Sequence, residues 1–165
     1  MNNIILITGA DGSGKDTVAK LIAKEIQNSS IHSIKGICVG MYQDLVSVNW
    51  NKLSGAEKRI HRPVFSNFCE GIKITLGKRV FAEYLAKKLE SQDDTTFIVP
   101  DWRFKEEYEV FREKFNLIKV KVIGTNNESV ITDDLSEYVC WEIDSRDSIE
   151  RTKKTIKSRI ETLGL

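Results

Sequence analysis

Three glycines and a lysine, Gly9, Gly12, Gly14 and Lys15, stand between an apolar run, Ile4 to Ile7, and a segment of helical periodicity. Gly9, Gly14 and Lys15 fit the spacing G-x-x-x-x-G-K. In that arrangement glycines let successive backbone N–H groups face phosphate oxygens while the lysine reaches the β- and γ-phosphates. The start of the helix adds partial positive charge at the same spot. Ala10, Asp11, Gly12, Ser13, Gly14, Lys15, Asp16 and Thr17 are therefore the candidate contacts for a nucleotide's phosphates. Asp16 occupies the position where Ser or Thr usually offers a hydroxyl to Mg²⁺. Two roles are open to its carboxylate: serving the metal, directly or through water, or complementing the helix dipole.

A second constellation is the run FIVPDWRFKEE, residues 97–107. In parallel α/β sheets ligands bind beyond the carboxyl ends of the strands, so an apolar strand delivering Asp101 there meets the requirement for an acid facing the Mg²⁺ of the P-loop. A turn-forming aspartate is the alternative. Arg103 and Glu107 lie just past it.

The elements that must hold these residues follow from periodicity. Ile4 to Ile7 is a strand, and a helix carried by Val18, Leu21, Ile22 and Ile26 runs to about Gln27. Ile31 to Ile34 is expected as a short strand, followed by a helix along Ile34, Cys38, Met41, Leu45 and Val48. Trp50 to Arg62 is polar and basic, and Pro63 is expected to start a new helix that Gly77 ends. A further helix runs from Lys78. Residues 35–95 thus form a long, mainly helical insertion, and insertions of this kind tend to carry substrate contacts. Thr96 to Val99 is the next strand and Lys105 to Phe115 the next helix. Leu117 to Ile123 follows as a strand whose Lys119 and Lys121 suggest a place near the sheet edge. Residues 124–137 form a polar, lid-like loop, Tyr138 to Ile143 the last strand, and Asp147 with Glu150 a capping box for the final helix. The expected fold is α/β: a P-loop NTPase three-layer sandwich of about five parallel strands covered by helices, in one domain spanning 1–165.

Composition narrows the setting. Lys plus Arg (25) nearly cancels Asp plus Glu (24), so no global field argues for stable nucleic-acid binding or an anionic membrane surface. Cys38, Cys69 and Cys140 are odd in number, far apart in sequence and free of CxxC or Cys/His pairing, and read as core thiols of a reducing compartment. A chain opening on strand and P-loop leaves no signal peptide, and no apolar run reaches membrane-span length. A cytoplasmic location is expected. His32 and His61 receive no role, and the oligomeric state is open, a dimer included.

The patches G-x-x-G-S-G-K-D-T, D-W-R-F-K-E-E and S-E-Y-V-C-W-E-I-D-S-R-D-S-I-E occur here in the order they take in the bacteriophage deoxynucleoside monophosphate kinases, which this sequence resembles. The resemblance implies transfer of the γ-phosphoryl group of ATP to a deoxynucleoside 5′-monophosphate, with Mg²⁺ as cofactor. Lys15 would follow the migrating phosphoryl group, Asp16 and Asp101 would serve the metal, and Arg103 would bridge donor and acceptor. Glu107 would orient Arg103 or touch the acceptor, and the loop Asp144 to Asp147, with Ser145, would wrap the adenine. Arg62, Lys73 and Tyr84 are the acceptor candidates; Tyr84 stands where the family has a tryptophan. Tyr42 and Trp50 either stack on the base or pack in the core. The lid-like loop contains no arginine, unlike that of many nucleoside monophosphate kinases. Two other readings stay open: a P-loop kinase for another small phosphorylated acceptor, such as a phosphomevalonate kinase-like enzyme, and a nucleotide-binding or regulatory NTPase.

Overall fold

A computed structural model describes residues 2–92, 95–125 and 134–165. Its centre is strand β1 (Asn3–Thr8), whose Ile4 to Ile7 are wholly buried. β1 is flanked by β3 (Thr96–Val99) and β4 (Asn116–Ile123), with β2 (Ser29–Ile31) outside β3 and β5 (Trp141–Asp144) outside β4. The order is β2-β3-β1-β4-β5 and every pairing is parallel. A parallel sheet needs cover on both faces, which explains why β1 and β3 are continuously apolar rather than alternating.

Side chains alternate between the faces and divide the core in two. Ile4, Leu6, Phe97 and Val99 point toward α2 (Ile34–Val46), α3 (Gly55–Leu76), α4 (Val80–Glu90) and α5 (Lys105–Arg112). Ile5, Ile7 and Ile98 point toward α1 (Lys15–Glu25) and α6 (Ile149–Leu163). The long connection between β2 and β3 is thus helical, made of α2, a 3₁₀ turn at Trp50–Lys52, α3 and α4. No helix among the described residues is long and apolar enough to cross a membrane.

Several boundaries differ from the sequence expectation. Pro63 lies inside α3 instead of starting it. The helix begins earlier because Ser54 and Glu57 form a capping box, the Ser54 N–H donating to Glu57 Oε2 at 2.8 Å. Gly77, at φ 92°, ends α3 as expected. β2 starts two residues before the expected Ile31 and ends at Ile31 instead of Ile34, because its ladder pairs Ser29 with Thr96 and Ile31 with Ile98. The cap of α6 is Ser148, whose hydroxyl accepts from the Arg151 N–H, while Asp147 instead pairs with the Arg151 side chain at 3.3 Å. β5 starts at Trp141, after a 3₁₀ turn at Ser136–Tyr138.

β4 is not an edge strand, since it pairs with β1 on one side and β5 on the other. Val120 and Val122 face the α1 and α6 core. The lysines take the other face, Lys119 lying 5.6 Å from the Tyr108 ring and Lys121 reaching Glu142 of β5. The short α5 leaves that face open enough for ammonium groups to reach water.

Among the cysteines, Cys38 is a core thiol as expected and donates to the Ile34 carbonyl at 3.7 Å, whereas Cys69 is only half-buried and Cys140 is an exposed thiol donating to the Lys119 carbonyl, so it is no core residue.

Candidate active site

The loop from Gly9 to Gly14 turns between the end of β1 and the first turn of α1. Gly12 and Gly14 adopt φ of 75° and 88°, the left-handed conformation that a Cβ disfavours. At Gly9 the constraint is also one of space: a Cβ there would lie 2.5 Å from the Val122 carbonyl oxygen. Lys15 bends back over this loop, its ammonium donating to the Gly9 carbonyl at 2.8 Å and the Ala10 carbonyl at 2.6 Å. Burial pushes the Lys15 pKa down, while the carboxylates of Asp11, Asp16 and Asp101 oppose that shift and Arg103 adds to it. Four charged groups singled out in the sequence therefore surround one ammonium.

The loop is fixed from behind by the ends of β4 and β5. The Ser145 hydroxyl contacts the Ser13 carbonyl at 2.6 Å and the Ile123 carbonyl at 3.0 Å. Gly124 sits so close that a Cβ on it would meet Ser13 Cα at 2.5 Å. Beside this junction opens a cavity of about 240 Å³. Gly12, Ser13, Gly14 and Thr17 form its phosphate-side wall, and Leu21, Ser145, Asp147 and Ile149 enclose the rest.

The β3–α5 turn forms the opposite side. Trp102, almost wholly buried, donates its backbone N–H to Ile7 of β1 and its indole N–H to the Phe104 carbonyl, which locks the turn against the P-loop strand. Glu107 accepts the backbone N–H groups of Arg103 at 2.9 Å and Phe104 at 3.1 Å. Burial raises its carboxyl pKa to about 7, against those two hydrogen bonds, which favour the charged form. Arg103, held at this turn, reaches Asp11 of the P-loop at 3.5 Å. Lys73 of α3 comes in from the insertion, 5.0 Å from the Phe104 ring and close enough to act on Glu107.

Asp101 is already engaged. Its carboxylate accepts from the Ser33 hydroxyl at 2.7 Å and from the N–H groups of Ile34 at 3.0 Å and Lys35 at 2.7 Å, so it caps α2. One of its four acceptor positions is left over. Asp16 is exposed and makes no hydrogen bond or ion pair among the described residues. No group of three or more His, Cys, Asp or Glu side chains gathers to hold a metal among the described residues. Mg²⁺, which keeps several waters and is commonly held by one or two carboxylates together with substrate phosphates, would need no more than Asp16 and the spare position on Asp101.

Other candidates stand apart. Arg62 is exposed on α3, eleven residues before Lys73 and on the same side of the helix. Tyr84 is 55% exposed on α4, and no contact among the described residues links either of them to Lys15 or Arg103. Tyr42, 2% exposed, packs edge-on against Trp50 and Phe65 and shares a hydrogen bond with His61, which makes it core. His32 bonds to Ser30. Of the lid-like loop, residues 126–133 lie outside the described residues. Sequence reasoning missed Ser33, Trp102 and Gly124. Ser33 carried a signal, an N-cap residue just before a helix; Gly124 carried only its place at a strand end.

Neither a protein-family model nor a curated protein matches the sequence. Solved structures do match. The APS kinase of Mycobacterium tuberculosis is 14% identical, with 97% of each chain covered and a TM-score of 0.56. A gluconokinase of Sinorhizobium meliloti 1021 is 12% identical, with 98% of this chain and 95% of that one covered and a TM-score of 0.55. The shikimate kinase of Aquifex aeolicus is 12% identical, with 98% of each chain covered and a TM-score of 0.52. The chain has the P-loop NTPase fold that these structures share. At such identities the likeness extends to the fold: a five-stranded, all-parallel sheet between helical layers, with the glycine loop at the carboxyl end of its central strand. Within that fold, the helices between β2 and β3 stand beside the loop that carries Arg103.

Proposed function

We propose that the protein transfers the γ-phosphoryl group of ATP to a deoxynucleoside 5′-monophosphate, yielding ADP and the deoxynucleoside diphosphate. The observation that carries this reading is a pair of cationic places meeting at one turn. Lys15 lies over the P-loop, while Arg103 and Lys73 lie at the β3–α5 turn and the adjoining insertion. Joining two polyanions in line needs cations on both the donor and the acceptor phosphate, and no covalent nucleophile.

In this reading the triphosphate lies along Gly12 to Thr17 and the nucleoside of ATP enters the cavity enclosed by Leu21, Ser145 and Ile149. The acceptor lies under the helical insertion, with Lys73 beside its phosphate and Arg62 and Tyr84 as more distant candidates. An oxygen of the acceptor phosphate forms the new bond to the γ-phosphorus as the bond to the ADP oxygen breaks. Lys15 stays with the moving group and Arg103 spans donor and acceptor. Glu107 holds the Arg103 backbone and so aims its guanidinium. Asp16 would hold Mg²⁺, with Asp101 acting on it through water. Bound there, Mg²⁺ would supply positive charge to offset that of the phosphates.

The choice of a deoxynucleotide acceptor rests on the resemblance carried by the GKDT and D-W-R-F-K-E-E patches. A second reading, another small acceptor, is favoured by the gluconokinase and shikimate kinase among the structural neighbours. ADP formation measured across the four standard deoxynucleoside monophosphates, their ribonucleotides, gluconate, shikimate and phosphomevalonate separates the two. Turnover with a deoxynucleotide and none with the others supports the first; the reverse overturns it.

A further inference from the structure

Two of the three thiols stand opposite each other in the helical insertion. The start of α2 and the end of α3 meet at one place, the β3–α5 turn: the Ile34 and Lys35 N–H groups bind Asp101, and Lys73 reaches the ring of Phe104. The two helices therefore run antiparallel. Farther from that turn, Tyr42 of α2 shares a hydrogen bond of 3.0 Å with His61 of α3 and packs edge-on against Phe65 at 5.5 Å. Side chains four residues apart lie on the same face of a helix. One turn from Tyr42 toward the β3–α5 turn is Cys38, and one turn from Phe65 in the same direction is Cys69, so the antiparallel packing sets the two thiols against each other.

Their surroundings make the pair unequal. Cys38 is buried, whereas Cys69 is half-buried and open to a small molecule. The Cys38 thiol first, then Lys73 one turn on and Lys35 of α2, draw the Cys69 pKa below its ordinary value, against burial and Glu70. Contact with Cys69 and burial push the Cys38 pKa up, with Asp101 adding to the rise and Lys73 opposing it. A thiol enclosed by apolar side chains alone is inert, and the thiolate is the form that oxidants attack. Cys69, beside two ammonium groups, is thus the thiol that reacts, and Cys38 is the one placed to meet it afterwards.

We propose that Cys69 and Cys38 form an oxidant-sensitive dithiol whose closing ties α2 to α3. The oxidant is a hydroperoxide. The Cys69 thiolate attacks one peroxide oxygen and breaks the O–O bond, which leaves a sulfenic acid on Cys69 and an alkoxide or hydroxide that takes a proton from water. The Cys38 sulfur then bonds to the Cys69 sulfur, giving up its proton as the sulfenic oxygen departs as water. The two sulfurs lose two electrons and the peroxide gains them. Helices packed about 8–10 Å apart bring facing Cα atoms within the roughly 7 Å that a disulfide needs. In a reducing compartment such a bond is transient and acts as a sensor. In the proposed function these helices admit the acceptor, and Cys69 lies one turn from Lys73, so oxidation would stop turnover. That consequence rests on the proposed function; the bond itself does not.

The full chain, treated with a few equivalents of hydrogen peroxide, should fall from three free thiols to one. A non-reducing peptide map should join the Cys38 and Cys69 peptides at a mass two hydrogens lower. The melting temperature should rise by several degrees, since the bond closes a loop of about thirty residues, and dithiothreitol should reverse every change. In Cys38→Ser the sulfenic acid on Cys69 should persist and be trapped by dimedone, and in Cys69→Ser the Cys38 thiol should stay reduced under the same treatment. Phosphoryl transfer to the acceptor should drop about tenfold or more on oxidation and return on reduction. Oxidation of Cys140 alone, the absence of a joined peptide, Cys38 reacting as readily in Cys69→Ser as in the wild type, or a bridged chain that melts no higher than the reduced one would overturn the proposal. If no acceptor is phosphorylated at all, it is the proposed function that fails, and thiol count, peptide map and melt still decide the bond.

Discussion

Lys15 holds its ammonium against two carbonyls of its own loop, a position from which it can swing only a short way to meet a phosphate oxygen. No part of the hydrophobic core rests on it. Lys15→Ala should therefore leave the melting temperature within a few degrees of the wild type and lower turnover a hundred- to a thousandfold, the roughly 3–4 kcal/mol expected for one preorganised charge. Steady-state rates and a thermal melt on the same sample check both halves, and turnover above about a third of wild type would contradict the role. Glu107 gives a prediction in pH. Its carboxyl has a pKa of about 7 in the folded chain and an ordinary value of 4.5, so between those values the folded state holds a proton that the unfolded state does not. The stability this adds, about 3 kcal/mol at most, is complete below pH 4.5 and is lost as pH rises through 7. Glu107→Gln, a neutral mimic of the protonated form, should flatten that decline in denaturant titrations between pH 5 and 8; parallel curves for the two proteins would contradict it. The placing of Lys15 at the P-loop and of Arg103 at the turn after β3 was legible in the sequence because their type and spacing follow a motif. Trp102 and Ser33 were not, since what they do is hold the turn and share Asp101, and only the fold brings Ser33 and Asp101, 68 positions apart in the chain, within 2.7 Å.

The strongest test among the elements is the contact between the end of β4 and the P-loop. At Gly124 a Cβ would lie 2.5 Å from Ser13 Cα and 2.9 Å from Ser13 Cβ, and a backbone atom has nowhere to go without moving the loop. Gly124→Ala should thus weaken ATP binding at least tenfold and cost about 1–3 kcal/mol of stability, the usual range for overpacking. Calorimetric titration and melting would measure both; wild-type affinity would show that the loop is not positioned from this side. β3 was read residue for residue, because its apolar run is bounded by Pro100 and Asp101. The start of α3 was misread, since Pro63 is a strong break signal and the competing capping box, Ser54 with Glu57, lies in a stretch that reads as polar loop. In β4 the lysines suggested an edge, although only one face of the strand is open to water.

For the whole molecule, the sheet order accounts for the location of the candidate site. β1 lies between β3 and β4, so the P-loop at its carboxyl end has Asp101 and Arg103 on one side and Gly124 and Ser145 on the other. Alternating strands and helices made that architecture legible in advance, down to a parallel sheet of about five strands. The acceptor side was less legible. In the proposed reading that surface would be assembled from α2, α3 and α4, and neither Arg62 nor Tyr84 carries a local pattern that says which way a substrate lies. Where the γ-phosphoryl group goes decides between phosphoryl transfer and simple hydrolysis. ATP labelled in that group, incubated with the protein, Mg²⁺ and each deoxynucleoside monophosphate in turn, should give label in a deoxynucleoside diphosphate, one equivalent per ADP, for at least one base. Label recovered only as inorganic phosphate, at a rate indifferent to the acceptor, would contradict it.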